Sequence, residues 1–261
     1  MGDGDTSPMD VRVALCQVLS RGDVRSNLDE VGKIIGEVPA DIYLFPELFL
    51  TGYGCRIFNA AELTEAGQSL DTLCREKGIA IAMGMPVIRG DGTFNSLVFF
   101  TPEGRTEYDK LYLANFAPYN EDVFTPGKGP SMAEWKGMKF GLLICYDAMF
   151  PEIHRYYATH GADAVLMPSA SAEKSEYAMR TVVPARCFEN TVYTLFCNNT
   201  GTGPAGRYYG GSCAFSPLGK PLVSAGTGEE VVTVTLSSSE IESARKVRTH
   251  LADLRSDIDW E

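Results

Sequence analysis

Short apolar runs alternate with amphipathic stretches along this chain, and that alternation is the strongest constraint on its fold. Runs rich in Val, Ile, Leu and Phe are typical of buried strands, whereas apolar residues every three or four positions are typical of helices. Helices are predicted at residues 27–38, 60–77 and 151–161. Strands are predicted at 11–18, 41–47, 79–88, 95–100, 139–145, 163–168, 191–198, 209–215, 220–225 and 231–236. We therefore expect a mixed α/β fold.

The order of the predicted strands leaves two architectures open. Two packed sheets with helices on their outer faces and a single doubly wound sheet would both bury these strands. A Gly-Asp-Gly segment at 90–92 predicts a hairpin between the third and fourth strands, and the last three strands have the spacing of a meander. Because no repeat or linker divides the chain, we expect a loose terminus at 1–9 followed by one domain at 10–261.

The net charge limits the partners that the chain can attract. Its 261 residues carry a formal charge of -11, and Lys and Arg are scattered rather than gathered in a run. Nucleic acid and anionic membranes are therefore not expected as partners. The longest apolar stretch, at 79–88, has about half of the ~20 residues that a membrane-spanning helix needs. Residues 1–9 lack the basic start and apolar run of a secretory signal.

The cysteines and histidines indicate the compartment and argue against a metal. Seven cysteines form an odd set without a C-x-x-C pair, and most lie within apolar runs. This usage predicts free thiols in a reducing, cytoplasmic setting. The three histidines form no cluster with cysteines that would match zinc spacing. We expect neither a metal nor another cofactor.

Cys145 is the residue whose local setting most favours a nucleophile. It ends a strongly apolar strand, and the chain must turn at once toward the helix that begins near Pro151. Such a turn exposes the sulfur and aims the next backbone N–H groups at one point, where they can hold an oxyanion. The alternative is a structural cysteine that packs as a small apolar side chain.

A carboxylate and a lysine fit the role of activating groups better than the histidines do. His154 and His160 are six residues apart and face different sides of their helix, and His250 lies in a polar tail. Glu47 follows a buried strand, where desolvation would raise its pKa and suit it to proton transfer. Lys110 near the thiol would lower the pKa of the cysteine and stabilise negative charge. The alternatives are that Glu47 caps a turn and that Lys110 is a solvated surface residue.

Three segments give these residues a common context. Residues 45–53 read FPELFLTGY, residues 108–113 read YDKLYL, and residues 141–152 read GLLICYDAMFPE. In this order they closely resemble the nitrilase superfamily of carbon–nitrogen hydrolases, in its amidase-like branch. Further similarity lies at 124–130, 186–190, 198–201 and 210–222, so the resemblance covers roughly residues 11–236.

The resemblance implies a fold, a site and an assembly. The fold would be a four-layer αββα sandwich, paired into a homodimer or a higher homo-oligomer. Glu47, Lys110 and Cys145 would form the catalytic triad, and Glu121 would be a second glutamate that positions the substrate and the lysine. No cofactor would be required.

The resemblance also implies the reaction and leaves its substrate open. Cleavage of a non-peptide carbon–nitrogen bond in a small linear amide, through a thioester, would give a carboxylate and ammonia. N-carbamoyl compounds and nitriles are the alternative substrates. Two further hypotheses about the function are a Cys-His hydrolase, which the histidine positions disfavour, and a family-derived binding subunit with a decayed site.

The walls of the expected pocket are predicted from neighbouring residues. Tyr53, Tyr119 and Tyr146 stand beside the predicted catalytic positions and are candidates to bind substrate, with core packing as the alternative. Many relatives place a tryptophan shortly after the strand that follows the cysteine helix, whereas residues 167–177 read MPSASAEKSEY. The pocket wall is therefore expected to differ where the acyl group would lie.

Overall fold

The computed structural model describes residues 9–90, 92–255 and 257–258, and strands and helices cover similar shares of this part of the chain. Five α-helices are present in it: α1 (Val24–Glu37), α2 (Ala60–Lys77), α3 (Pro151–Thr159), α4 (Glu176–Asn190) and α5 (Ser238–Val247). The strands are β1 (Asp10–Gln17), β2 (Ile42–Leu44), β3 (Ala80–Arg89), β4 (Gly92–Thr101), β5 (Gly104–Asp109), β6 (Ser131–Trp135), β7 (Met138–Leu142), β8 (Ala164–Ser169), β9 (Tyr193–Asn198), β10 (Thr202–Gly203), β11 (Gly206–Arg207), β12 (Cys213–Phe215), β13 (Pro221–Ser224) and β14 (Glu230–Ser237).

Two six-stranded sheets carry the architecture. Their strand orders are β14-β1-β2-β3-β4-β5 and β13-β12-β9-β8-β7-β6, and β10 with β11 forms a separate ribbon. Strands β1, β2 and β3 are parallel in the first sheet, as are β7, β8 and β9 in the second. Each sheet thus has a parallel centre, whose strands end at a common edge.

Three hydrophobic cores separate four layers. The core between the sheets includes Phe99 and Phe140, whose rings stack with centroids 5.8 Å apart. A second core, which includes Val31 of α1 and Leu70 of α2, joins those helices to the first sheet, and a third joins α3 and α4 to the second sheet. The αββα sandwich is therefore confirmed, and the doubly wound alternative is excluded.

Local signals fix the helix ends that the sequence predicts best. The side chain of Asn59 accepts hydrogen bonds from the N–H groups of Ala61 and Glu62 at the start of α2. Gly78 ends the same helix at φ 64°, in the left-handed region that glycine enters without a steric penalty. Because both caps are local, the predicted bounds of 60–77 agree with the structure.

The predicted hairpin is confirmed, whereas the predicted meander is wrong. Strands β3 and β4 are antiparallel with Arg89 opposite Gly92, and Asp91 lies outside the described residues. Strand β13 pairs with β12, but β14 crosses to the other sheet and pairs along the whole of β1. Its Leu236 is fully buried in the core between the sheets, so the crossing both buries β14 and pairs one side of β1.

Other boundaries differ from the predictions for local reasons. The strand expected at 209–215 forms only from Cys213, because Gly210 and Gly211 have φ values of 64° and 63°. No prediction from the sequence covers β5, β6 or α5, and the predicted helices do not include α4. Strand β5 is largely polar, with Tyr108 as its buried residue, and α4 contains Pro184.

Two structural findings bear on the composition-based expectations. All seven cysteines are free thiols. Within the described ranges, no helix has the length and apolar character needed to span a bilayer.

Gly84 of β3 should be indispensable for packing around residue 47. A Cβ added there would lie 2.1 Å from the carbonyl oxygen of Pro46 and 2.8 Å from the Cα of Glu47. We expect Gly84→Ala to lower the free energy of unfolding by about 1–3 kcal/mol, because overpacking forces the backbone to move. A Cβ added at Gly32, on the exposed face of α1, would meet no atom within 4 Å. We expect Gly32→Ala to raise the free energy of unfolding by about 0.5–1 kcal/mol. Urea unfolding of both variants tests this, and equal stability would contradict it.

Candidate active site

The predicted site residues converge where the parallel strands of both sheets end. Glu47 lies three positions after β2, and Cys145 lies three positions after β7. Ser171 follows β8, and Lys110 directly follows β5. Carboxyl ends of parallel strands are common sites for ligands because the connecting loops meet there. The topology therefore brings together residues from distant segments of the chain.

The chain turns sharply at Cys145, as the sequence predicts. Cys145 has φ 46°, in the left-handed region that is strained for a non-glycine residue, and it begins a short 3-10 helix, Cys145–Met149. Within the described part of the chain, the backbone N–H of Tyr146 donates to no acceptor. Arg186 Nε donates to the carbonyl oxygen of Ala148 at 3.1 Å and holds this turn from α4. The strain is thus fixed by surrounding contacts.

Asp147 connects the cysteine turn to the lysine loop. One carboxylate oxygen accepts from the hydroxyl of Tyr108 at 2.8 Å and from the N–H of Ile144 at 3.3 Å. The other accepts from the N–H of Tyr112 at 2.8 Å. Burial raises the pKa of Asp147 to about 7, against the effect of Lys110 and these donors. Since Tyr108 and Tyr112 flank Lys110, Asp147 fixes the lysine relative to Cys145.

Lys110 lies between two buried carboxylates. Its Nζ is 2.7 Å from Oε1 of Glu47 and 2.7 Å from Oε1 of Glu121. Asn95 also donates to Glu47 Oε1 at 2.8 Å, and Tyr53 donates to Glu121 Oε1 at 2.8 Å. All three charged side chains are at most 1% exposed. The structure therefore places Glu47, Lys110 and Glu121 in one buried hydrogen-bonded chain.

The hydrogen-bonded group of Glu47, Lys110 and Glu121 leaves two polar groups available for chemistry. Glu47 Oε2 is buried and has no hydrogen-bond partner among the described residues. The ammonium of Lys110 has three N–H groups, and the two carboxylates take two of them. A free carboxylate oxygen can accept a proton, and a free ammonium N–H can donate to a developing oxyanion.

Burial controls the protonation of the site. It raises the pKa of Glu47, as the sequence predicts, with Lys110 acting in the opposite direction. Burial alone would lower the pKa of Lys110, but Glu121 and Glu47 outweigh it and hold that pKa well above its usual range. Lys110 is therefore charged in the resting site.

The thiol of Cys145 is neutral in this environment. Burial, and after it Glu47, raise its pKa to about 12 against the opposing effect of Lys110. Lys110 lowers this pKa, as the sequence predicts, but its effect is smaller than that of burial. A nucleophilic role for this sulfur would therefore require a proton acceptor.

A cavity of about 180 Å³ opens beside Cys145, and this residue is 8% exposed. Its lining is mostly apolar, and two of the predicted tyrosines, Tyr119 and Tyr146, belong to it. Tyr53 does not line it and instead contacts Glu121. The remaining lining residues are Ala114, Phe116, Glu121, Met149, Ser171, Lys174, Ser175, Ala178 and Met179.

Several residues of the site have no sequence-based prediction. Asn95 contacts Glu47 from within β4, and Asn199 donates to the backbone oxygen of Glu47 at 3.1 Å. Ser171 lies 3.5 Å from the sulfur of Cys145. The Asn-Asn pair at 198–199 and the small residues at 169–172 are the signals that could have identified them.

A family profile and known proteins match nearly the whole chain. The profile described as carbon–nitrogen hydrolase matches residues 12–246. The chain belongs to the carbon–nitrogen hydrolase family. It is 32% identical to an (R)-stereoselective amidase from Pseudomonas sp., with 94% of this chain and 92% of that protein covered. It is 33% identical to a nitrilase from Pyrococcus abyssi, with 80% and 82% covered.

A solved structure agrees with this assignment. An amidase from Nesterenkonia sp. has 30% sequence identity and a TM-score of 0.79, with 94% of this chain and 96% of that chain covered. The resemblance to the nitrilase superfamily and its amidase-like branch is thus confirmed. This carbon–nitrogen hydrolase is an enzyme of the amidase and nitrilase type.

Glu47→Gln should lower the pKa of Cys145. The carboxylate of Glu47 is the nearby charge that raises this pKa, and its removal leaves Lys110 to favour the thiolate. The pKa is measured by titrating thiolate absorbance in the wild type and in Glu47→Gln. The absorbance of the matching protein with Cys145→Ala is subtracted from each. An unchanged or higher pKa would contradict the electrostatic account.

Proposed function

We propose that this carbon–nitrogen hydrolase converts a small linear amide to a carboxylate and ammonia, with Cys145 as nucleophile. The observation that carries the proposal is the position of Cys145 on the wall of a small cavity, beside the buried chain of Glu47, Lys110 and Glu121. The role of each residue follows from its protonation and its unoccupied hydrogen-bonding groups.

Glu47 acts as the base in the first half of the reaction. Its free Oε2 takes the proton from the Cys145 thiol as the sulfur bonds to the carbonyl carbon of the amide. The carbonyl oxygen becomes an oxyanion, which accepts from the remaining N–H of Lys110 and from the backbone N–H of Tyr146. Glu47 then returns the proton to the nitrogen, the carbon–nitrogen bond breaks, and ammonia leaves behind a thioester.

Water completes the cycle. Glu47 accepts a proton from a water molecule whose oxygen bonds to the thioester carbon, and the same groups hold the second oxyanion. When the carbon–sulfur bond breaks, the proton on Glu47 passes to the sulfur and restores the neutral thiol. The raised pKa values of Glu47 and Cys145 suit this exchange because both groups hold a proton more readily in the buried site.

Glu121 positions the lysine in this proposal. Its Oε1 contacts Lys110 and Tyr53, and its Oε2 accepts from the N–H of Ala114 at 3.0 Å. The carboxylate is thus held by three donors and keeps Lys110 charged and oriented. Glu121 also lines the cavity, where it can approach the substrate.

The cavity favours a small acyl group with apolar atoms. Its lining is mostly apolar, and Phe116, Tyr119 and Tyr146 surround the space next to the sulfur. Because a relative is named an (R)-stereoselective amidase, both enantiomers of a short chiral amide belong in the substrate panel. Nitriles are the second candidate, supported by the similarity to a nitrilase, and N-carbamoyl amino acids complete the panel.

Cys145→Ala should abolish ammonia release from the best substrate. We expect a loss of at least about 1,000-fold in kcat/KM, because the covalent route is removed. The matched control is Cys187→Ala, a buried cysteine on α4 outside the cavity lining, which should retain activity. Ammonia release by the wild type and both variants is the measurement.

The pattern of release decides between the candidates. Cys145-dependent ammonia from amides supports the proposal, whereas release only from nitriles or only from carbamoyl compounds contradicts its substrate class. Equal activity in Cys145→Ala and the wild type would remove this residue from the site. No release from any compound would favour the binding-subunit alternative.

A further inference from the structure

Two buried hydroxyl groups lie next to the proposed nucleophile and have no part in the mechanism above. Ser171 Oγ is 3.5 Å from Cys145 Sγ, and Ser169 Oγ is 2.8 Å from Ser171 Oγ. Ser169 is fully buried and Ser171 is 1% exposed. The three side chains therefore form a short line that leads from strand β8 to the sulfur.

The backbone of Ser171 is held on both sides by one side chain. Asn198 Oδ1 accepts from the N–H of Ser171 at 2.8 Å, and Asn198 Nδ2 donates to the carbonyl oxygen of Ser171 at 3.1 Å. The same Nδ2 also donates to the carbonyl oxygen of Gly210 at 3.0 Å. On the cavity side, the N–H of Ala172 donates to the hydroxyl of Tyr119 at 2.9 Å. Ser171 is consequently fixed close to the sulfur.

The available donors and acceptors favour one direction of hydrogen bonding along this line when the sulfur is charged. In the described residues, the only partners of the Ser171 hydroxyl are Ser169 and Cys145. A thiol can donate to Ser171, but a thiolate can only accept. Both contacts survive deprotonation of the sulfur only if Ser169 donates to Ser171 and Ser171 donates to the sulfur.

We propose that Ser171 is a further catalytic residue, whose hydroxyl donates to the Cys145 sulfur as the thiol proton passes to Glu47. Ser169 is a positioning residue that acts through Ser171 by donating to its oxygen. The serines keep their own protons, and the thiol proton follows the route to Glu47 described above. This inference rests on the proposed function, since it concerns the same sulfur.

The charges around the sulfur agree with this role. Burial and the carboxylate of Glu47 raise the pKa of Cys145, while Lys110 and the hydroxyls of Ser169 and Ser171 act in the opposite direction. The serines thus oppose the cost of a buried thiolate without adding a charge. A hydrogen bond to a charged group is worth roughly a 10- to 100-fold change in an equilibrium or rate.

Ser171→Ala should therefore slow the chemical step and reduce the reactivity of the sulfur. We expect kcat for the best amide to fall about 10- to 100-fold with a smaller change in KM, because the hydrogen bond strengthens as charge develops. The second-order rate of Cys145 alkylation by iodoacetamide, measured against pH, should fall in parallel and its midpoint should move to higher pH. Ser171→Thr, which keeps the hydroxyl, should lie closer to the wild type in both measurements.

Ser169→Ala tests the proposed order of action. It should have a smaller effect than Ser171→Ala, and the double variant should match Ser171→Ala alone. The reason is that the Ser169 hydroxyl lies 2.8 Å from that of Ser171, which is the hydroxyl in contact with the sulfur. Ser216→Ala is the matched control: Ser216 is 1% exposed and its hydroxyl accepts from the backbone N–H groups of Leu218 and Lys220. It should leave alkylation and turnover unchanged. Urea unfolding verifies that each variant is folded.

The outcomes separate this proposal from the proposed function. Unchanged alkylation and kcat in folded Ser171→Ala would overturn it, as would an effect on KM alone, which would make Ser171 a wall of the pocket. Independent and additive losses from the two serines would overturn the relay order. If the wild type hydrolyses no amide, the proposed function fails, yet the alkylation profile still decides whether Ser171 assists the sulfur.

Discussion

The contact between Lys110 and two buried carboxylates is the interaction on which the site depends. Transferring three charges from water to the interior costs several kcal/mol per ion, and only close pairing with further hydrogen bonds offsets it. Asn95, Tyr53 and the backbone of Ala114 supply those bonds. Because these donors come from separate segments, the position of the lysine requires the surrounding fold to be complete.

The same burial determines the resting protonation state of the proposed nucleophile, Cys145. A permanent thiolate would place a further negative charge beside Glu47. Desolvation opposes this charge and keeps the thiol of Cys145 protonated. In the proposed mechanism, the sulfur therefore becomes strongly nucleophilic only as its proton leaves. The positive φ of Cys145 and the contacts of Asp147 keep the reacting atoms in place before substrate arrives.

The sandwich explains how these segments meet. Parallel strands lie at the centre of each sheet. The loops after β7 and β8 line the cavity, and the loop after β2 brings Glu47 against Lys110. The pairing of β14 with β1 extends the first sheet and covers one side of β1. Gly84 permits the close approach that the turn before Glu47 requires, since any side chain there would strike the backbone of Pro46.

Local signals in the sequence determined much of the secondary structure and pointed to part of the site. The caps at Asn59 and Gly78 set the two ends of α2 by local hydrogen bonds. The apolar strands that end before Glu47 and Cys145 single out both residues. The resemblance to a known family added Lys110 and Glu121. These predictions succeed because hydrogen bonds and apolar patterns act over a few residues.

Tertiary structure alone decided the features that depend on distant segments. Strand β5 is polar and β14 pairs far from its neighbour β13, so neither placement is visible in a local pattern. The contacts of Cys145 with Ser171 and of Glu47 with Asn95 arise only when the strands align. The pKa of Cys145 likewise depends on burial and on charges from separate loops, so the net direction of its shift is not visible from Lys110 alone.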